Sequence, residues 1–202
     1  MQNSNGNIWF TGTKETGIGI LYDPKNYTIL DSKNGVPASE YLSLLSDNGI
    51  INIGTDYLGF FQFGKQSFIK YNATPELSTP YIFNIIDVKE KLYIVVSKKG
   101  ILEFDNTDFN NLKFIKTIPF SGRVSELYKN VNDKLLVASN NGLQEYDGLK
   151  LNTKFSIPTT SVFQDSLSEK YFVGTPGNGL FVLDENFKII DNYFNKKLKI
   201  TY

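Results

Sequence analysis

Cysteine and histidine are both missing from this chain. Without cysteine there is no disulfide, and the redox side says nothing about compartment. Without either residue, zinc sites of the Cys/His type are excluded, as are Ser-His-Asp and Cys-His nucleophilic sites. Arginine occurs once, at Arg123, and 21 basic side chains cancel 21 acidic ones. No basic field exists to draw in nucleic acid or an anionic membrane. No apolar run approaches the ~20 residues that cross a bilayer. The opening "MQNSNGNIWF" has neither a basic n-region nor an apolar h-region, so no secretory signal is read there. Helical periodicity is nowhere sustained over the ten or more residues a helix needs.

What the chain does have is repetition. Its 202 residues are 41% hydrophobic and 14% aromatic, enough for a sizeable core. One phrase recurs: "VASNNGLQEYDG" at 137–148, "VVSKKGILEFDN" at 95–106, "VGTPGNGLFVLDE" at 173–185, "IGTDYLGFFQFGK" at 53–65 and "TGTKETGIGILYDPK" at 11–25. Its small hydroxyl residue falls at Thr13, Thr55, Ser97, Ser139 and Thr175, with spacings of 42, 42, 42 and 36. A fixed period of this size marks a repeat architecture.

Each unit reads as four strands. The apolar runs "NIWFTGT", "IINIGT", "LYIVVS", "LLVAS" and "YFVGT" are buried strands. A polar turn with glycine leads into a hairpin partner such as "GILEFD" or "GLQEYD". A fourth strand follows, then a loop, then an innermost strand: "YLSLL", "YIFNII", "RVSELY", "SVFQD" and "LKITY". Four antiparallel strands repeated at about 40–45 residues define an all-β chain, a β-propeller of five four-stranded blades in a single domain over 1–202. A β-sandwich also has many short strands but gives no reason for a fixed period. The two ends are complementary in phase. Residues 198–202 are expected to pair with Ile8–Thr11 and close the ring, the alternative being ends set by where a longer chain was cut. Trp9, Ile53, Ile94, Val137 and Phe172, in the second strands, are expected to face neighbouring blades.

The segments "GNIWFTGT", "GIINIGTDYLGFFQF", "KNGVPASEYLSLLSDNG", "NNGLQEYDG" and "PGNGLFVLD" resemble the two-component regulator propeller repeat. The resemblance runs through the whole chain. It implies a sensory propeller of a bacterial hybrid histidine kinase, tuned to carbohydrate fragments. It also implies a periplasmic setting if the chain is a segment of such a sensor. A chain complete as it stands would be cytoplasmic.

The expected partners are a small-molecule ligand such as a carbohydrate, or a protein, with no nucleic acid and no membrane contact. No cofactor and no metal is expected. The recurrent Asp23, Asp105, Asp147 and Asp184 read as turn residues bonding their own backbone. Propellers also host glycosidases with paired carboxylates, for which Glu126, Asp165, Glu40 and Asp87 are the available groups. Degenerate repeats without an outlying motif favour binding over catalysis. In a four-stranded meander the loop leading into the innermost strand emerges on the same face as the loop between the second and third strands. That face gathers Tyr41, Tyr57, Tyr81, Lys98, Arg123 and Asn140, the candidate ligand contacts. Tyrosine rings stack on sugars or peptides, and arginine clasps a carboxylate bidentately.

Overall fold

The computed structural model describes residues 1–3, 5–12, 16–36, 38–47, 49–64, 67–71, 77, 81–108 and 112–193. Thr13 and residues 198–202, with the pairing expected of them, lie outside the described residues. The chain divides into two compact units, Met1–Phe120 and Ser121–Tyr202.

The first unit holds three sheets. Sheet one is β1 (Ile8–Thr11), β2 (Ile18–Asp23) and β3 (Asn26–Leu30). Sheet two is β4 (Tyr41–Asp47), β5 (Ile50–Thr55), β6 (Phe60–Gly64) and β7 (Ser67–Tyr71). Sheet three is β8 (Ile82–Val88), β9 (Lys91–Val96), β10 (Gly100–Asp105) and β11 (Lys113–Ile118). The second unit holds two more. Sheet four is β12 (Val124–Lys129), β13 (Leu135–Ser139), β14 (Gly142–Tyr146) and β15 (Leu151–Phe155). Sheet five is β16 (Ser161–Gln164), β17 (Tyr171–Thr175), β18 (Gly179–Leu183) and β19 (Ile189–Asn192). Every sheet is an antiparallel meander in chain order, so each strand pairs with its sequence neighbour. Among the described residues there is no α-helix; a 3₁₀ turn at Ser32–Asn34 is capped by Asp31.

The continuous apolar runs have a physical reason. The central strands are buried on both faces, so alternation is lost there. Ile53 and Phe61 of sheet two pack with Trp9, Ile18 and Ile20 of sheet one. Phe60, next along β6, packs the other way, with Ile82, Ile94 and Phe104 of sheet three. In the second unit Leu136, Ala138 and Leu143 of sheet four meet Val162, Val173 and Leu183 of sheet five. Trp9, Ile53, Ile94 and Val137 are buried as expected. Phe172 is not: it is half-exposed, and its neighbours Tyr171 and Val173 are the buried ones. Alternation along β17 puts Phe172 on the opposite face, because a one-residue slip in register exchanges the faces.

Sheet five begins at an edge, and side chains cover it. Asp165 donates its amide to Lys170 across the β16–β17 hairpin, so alternation turns the amides of Val162 and Gln164 outward. Glu126 accepts from the Val162 amide at 2.8 Å, and the Tyr128 hydroxyl accepts from the Gln164 amide at 2.9 Å. Two alternate side chains of β12 thus do for β16 what a neighbouring strand would do.

Candidate functional site

The recurrent hydroxyl and glycine are parts of one turn. Ser139 donates its hydroxyl to the Gly142 carbonyl at 2.9 Å and accepts from the Asn141 amide at 3.1 Å. Thr55 and Thr175 make the same pair of bonds across their hairpins. Glycine is required at position 142, where φ is 100° and a Cβ would overlap the Phe155 carbonyl. Asp147 likewise accepts from the amides of Leu149 and Lys150 and from Asn152, which holds its carboxyl down at about 2. Asp23, Asp105 and Asp184 hold their own turns in the same way. The repeat is therefore structural grammar, and a candidate site is to be sought in what varies around it.

The lead-in loops and hairpin turns meet on one side of sheets two to five. Asp56 donates its amide to Glu40, Ser97 to Tyr81, Asn140 to Arg123 and Thr160 to Gly174. In the first unit this brings Tyr57 and Tyr81 together, with ring centres 5.0 Å apart, and Phe83 stacks on Tyr81 at 6.3 Å. All three rings are exposed, at 67%, 38% and 45%. Hydrogen bonding with Tyr57, then partial burial and the nearby Asp56 charge, push the Tyr81 phenol up. Lys98 stands exposed in the adjoining β9–β10 turn. Tyr41 departs from its expected place. It is 6% exposed and packs with Trp9 and Ile53, because it opens strand β4 rather than ending a loop; burial pushes its phenol up.

In the second unit Arg123 and Asn140 brace each other. The Arg123 amide donates to Asn140 Oδ1 at 2.8 Å, and the Asn140 amide returns a bond to the Arg123 carbonyl at 3.2 Å. Both line a cavity of about 300 Å³ with Ser125, Thr160, Pro158 and Pro176.

A larger cavity, about 590 Å³, opens in the first unit along sheets one and two. Asn3, Asn7, Asn34, Tyr22, Trp9 and Phe63 are among the residues that line it, and among the described residues no charged side chain does. Asn3 Oδ1 accepts from two backbone amides and Asn34 Oδ1 from the Asp31 amide. The carbonyl ends are therefore occupied and the amide donors are left. The Trp9 indole N–H is buried without a hydrogen-bond partner among the described residues. Sequence reading passed over this site. Its signal is the asparagine-rich opening "NSNGN", an uncharged polar stretch that precedes the single tryptophan.

The carboxylates considered for hydrolysis have other partners. Glu126 holds the Val162 amide and burial pushes its carboxyl up; Asp165 caps the 165–168 turn through Ser168; Asp87 accepts from Asn106 at 3.1 Å. Glu40 is exposed, with its backbone tied to Asp56. Among the described residues no cluster of three or more acidic side chains is placed to hold a metal ion. No helix there is long and apolar enough to cross a membrane.

Sheets of four antiparallel strands in sequential meanders define a propeller-like fold, and solved structures agree. The extracellular domain of a putative hybrid two-component system from B. thetaiotaomicron is 19% identical, with a TM-score of 0.72 over 95% of this chain. PorZ, a surface component of the type-IX secretion system of Porphyromonas gingivalis, is 15% identical with a TM-score of 0.70 over 92%. Virginiamycin B lyase from Staphylococcus aureus is 12% identical with a TM-score of 0.72 over 94%. The chain spans 28% and 32% of the length of the first two and 67% of the lyase. At these identities the likeness is one of fold. No family model and no curated protein matches the chain.

Proposed function

We propose that the chain is a non-catalytic recognition propeller, belonging to a bacterial sensor, that binds a small neutral polyhydroxyl ligand such as a carbohydrate fragment. The observation that carries this is the cavity lined by Trp9, Tyr22 and asparagines, with no charged side chain and no partner for the indole N–H among the described residues. Amide donors suit hydroxyl oxygens, aromatic rings suit the C–H faces of a sugar, and the missing charge disfavours an ionic ligand. The exposed Tyr57–Tyr81–Phe83 group offers a second aromatic surface in the same unit. The fold shared with extracellular domains of two-component systems supports the sensory role and a periplasmic setting. The structural bonds of Glu126 and Asp165 support recognition rather than hydrolysis.

Trp9 is the only tryptophan, so its emission is an unambiguous reporter. Titration with a panel of neutral oligosaccharides is expected to shift that emission saturably, and Tyr22→Phe to weaken binding several-fold. Binding that leaves Trp9 emission unchanged and is lost in Tyr81→Ala moves the site to the loop face. A panel that neither binds nor is cleaved overturns the carbohydrate reading, leaving a protein-interaction platform as the alternative. Cleavage of any member overturns the non-catalytic one.

A further inference from the structure

The only arginine of the chain stands unpaired at the rim of a cavity. Among the described residues no carboxylate or carbonyl meets the Arg123 guanidinium, although the chain has 21 acidic side chains to offer. Its loop is nevertheless rigidly held. Asn140 bonds both backbone groups of Arg123, and Asn141 donates to the Ser121 carbonyl at 2.7 Å. A cation carried on a fixed backbone and left without a counter-charge is available to an anion from outside, with only the side chain itself left to order.

The cavity beside it is built for one charge. Ser125 sits where the β12–β13 register shifts, a bulge that re-aims its side chain, and its hydroxyl has no partner among the described residues. Thr160 is committed, donating to the Gly174 carbonyl at 3.2 Å. Pro158 and Pro176 supply rigid apolar walls, and among the described residues no acidic side chain lines the space. At about 300 Å³ the volume sits at the small end of ligand cavities, which run from about 300 to 1,000 Å³.

The geometry points to a binding site for a small monocarboxylate, its two oxygens on the Arg123 fork and one also on the Ser125 hydroxyl, its apolar body between Pro158 and Pro176. The planar guanidinium matches a carboxylate in geometry, and one cation neutralises one negative charge, whereas a phosphate dianion is left half unpaired. The proposal goes beyond the carbohydrate reading and stands on the second unit alone. A neutral sugar that binds at Trp9 or Tyr81, or fails to, leaves it untouched.

The test uses the single arginine as its reporter. In a ¹H–¹⁵N spectrum the chain gives one arginine Nε–Hε signal, which can be followed during titration with sodium propionate, neutral propionamide and inorganic phosphate at constant ionic strength. Propionate is expected to move that signal and the Ser125 amide saturably, propionamide to move neither, and phosphate to bind more weakly. Arg123→Gln, followed at the Ser125 amide, is expected to lose at least about tenfold in affinity, the scale of a lost charge-assisted pair. Asn140→Ala keeps the charge but frees the loop, and is expected to weaken propionate several-fold. No saturable shift with propionate, an equal response to propionamide, tighter phosphate, or unchanged propionate affinity in Arg123→Gln would each overturn the assignment.

Discussion

Sheets three and four carry the same phrase in the same phase and hold it together differently. In each, a glutamate on the third strand is buried between two lysines. Glu103 is fully buried, 2.5 Å from Lys91 and 3.7 Å from Lys116. Glu145 keeps 11% of its side chain exposed and is 3.3 Å from Lys134 and 3.4 Å from Lys154. The hairpin turns diverge too. The Ser139 hydroxyl clamps its turn, whereas the Ser97 hydroxyl makes no such bond among the described residues, and Lys99 closes that turn by donating to the Val96 carbonyl at 3.2 Å. The period fixes where a residue stands. Depth and partners decide what it contributes.

The largest test strips one lysine from each triad. Lys91→Met takes the nearest cation from a fully buried carboxylate, and should cost about 3–5 kcal/mol. Lys134→Met leaves Glu145 partly solvated and still close to Lys154, and should cost about 1 kcal/mol. Urea unfolding of the two variants measures the gap, and equal losses would mean the two sheets do not differ in this respect.

A smaller contrast lies in the turns. Ser139→Ala removes a buried hydroxyl that both donates and accepts, at about 1 kcal/mol. Ser97→Ala should fall within about 0.5 kcal/mol of the parent, as surface changes usually do. Thermal melts of the pair are the measurement, and a larger loss at Ser97 would reverse the comparison.

The smallest effect is in pH. Sheet four has Glu126 where sheet three has Asn84. Burial, opposed by the Val162 amide, raises the Glu126 carboxyl above its ordinary 4.5. A raised acid binds its proton more tightly folded than unfolded, so its stabilising effect is complete below the unfolded value and fades as pH rises through the folded one. Glu126→Gln keeps an acceptor for Val162 and removes the titration. It should match the parent near pH 4 and be slightly more stable at pH 7, whereas Asn84→Ala should show no such pH dependence. A parent that instead gains on Glu126→Gln above pH 5 would show that the hydrogen bond outweighs burial.

The strands were legible because each is a short apolar run bounded by a turn whose chemistry recurs: Thr55, Ser139 and Thr175 make one clamp, and Asp147 and its counterparts another. Phe172 was misread because it stands three residues before its hydroxyl, whereas Ile53 and Val137 stand two before theirs; Val173 is the residue in their phase and is the buried one. Tyr41 was misread because a strand's first residue and a loop's last look alike in sequence. Glu103 and Glu145 were visible in "GILEFD" and "GLQEYD", yet a charged residue amid apolar ones gives no hint of lysines arriving from both sides. The proposed recognition surfaces were least legible. Tyr57 and Tyr81 lie 24 residues apart and their pairing depends on two loops meeting. The Trp9 cavity needs side chains from two sheets.

The side-chain cover over the edge of β16 has a consequence in time. Glu126 leaves the ribosome 36 residues before Val162, the amide it will hold. At synthesis rates of about 5–20 residues per second that is a wait of roughly 2–7 s. Ladders between sequence neighbours close far faster than this, so sheet four is complete while its partner is still being made. Leu136, Ala138 and Leu143 are then a finished apolar face with nothing yet to cover them. The interval before β16 and β17 emerge is when a nascent chain of this kind is most open to capture by a chaperone or by a neighbouring copy on the same message.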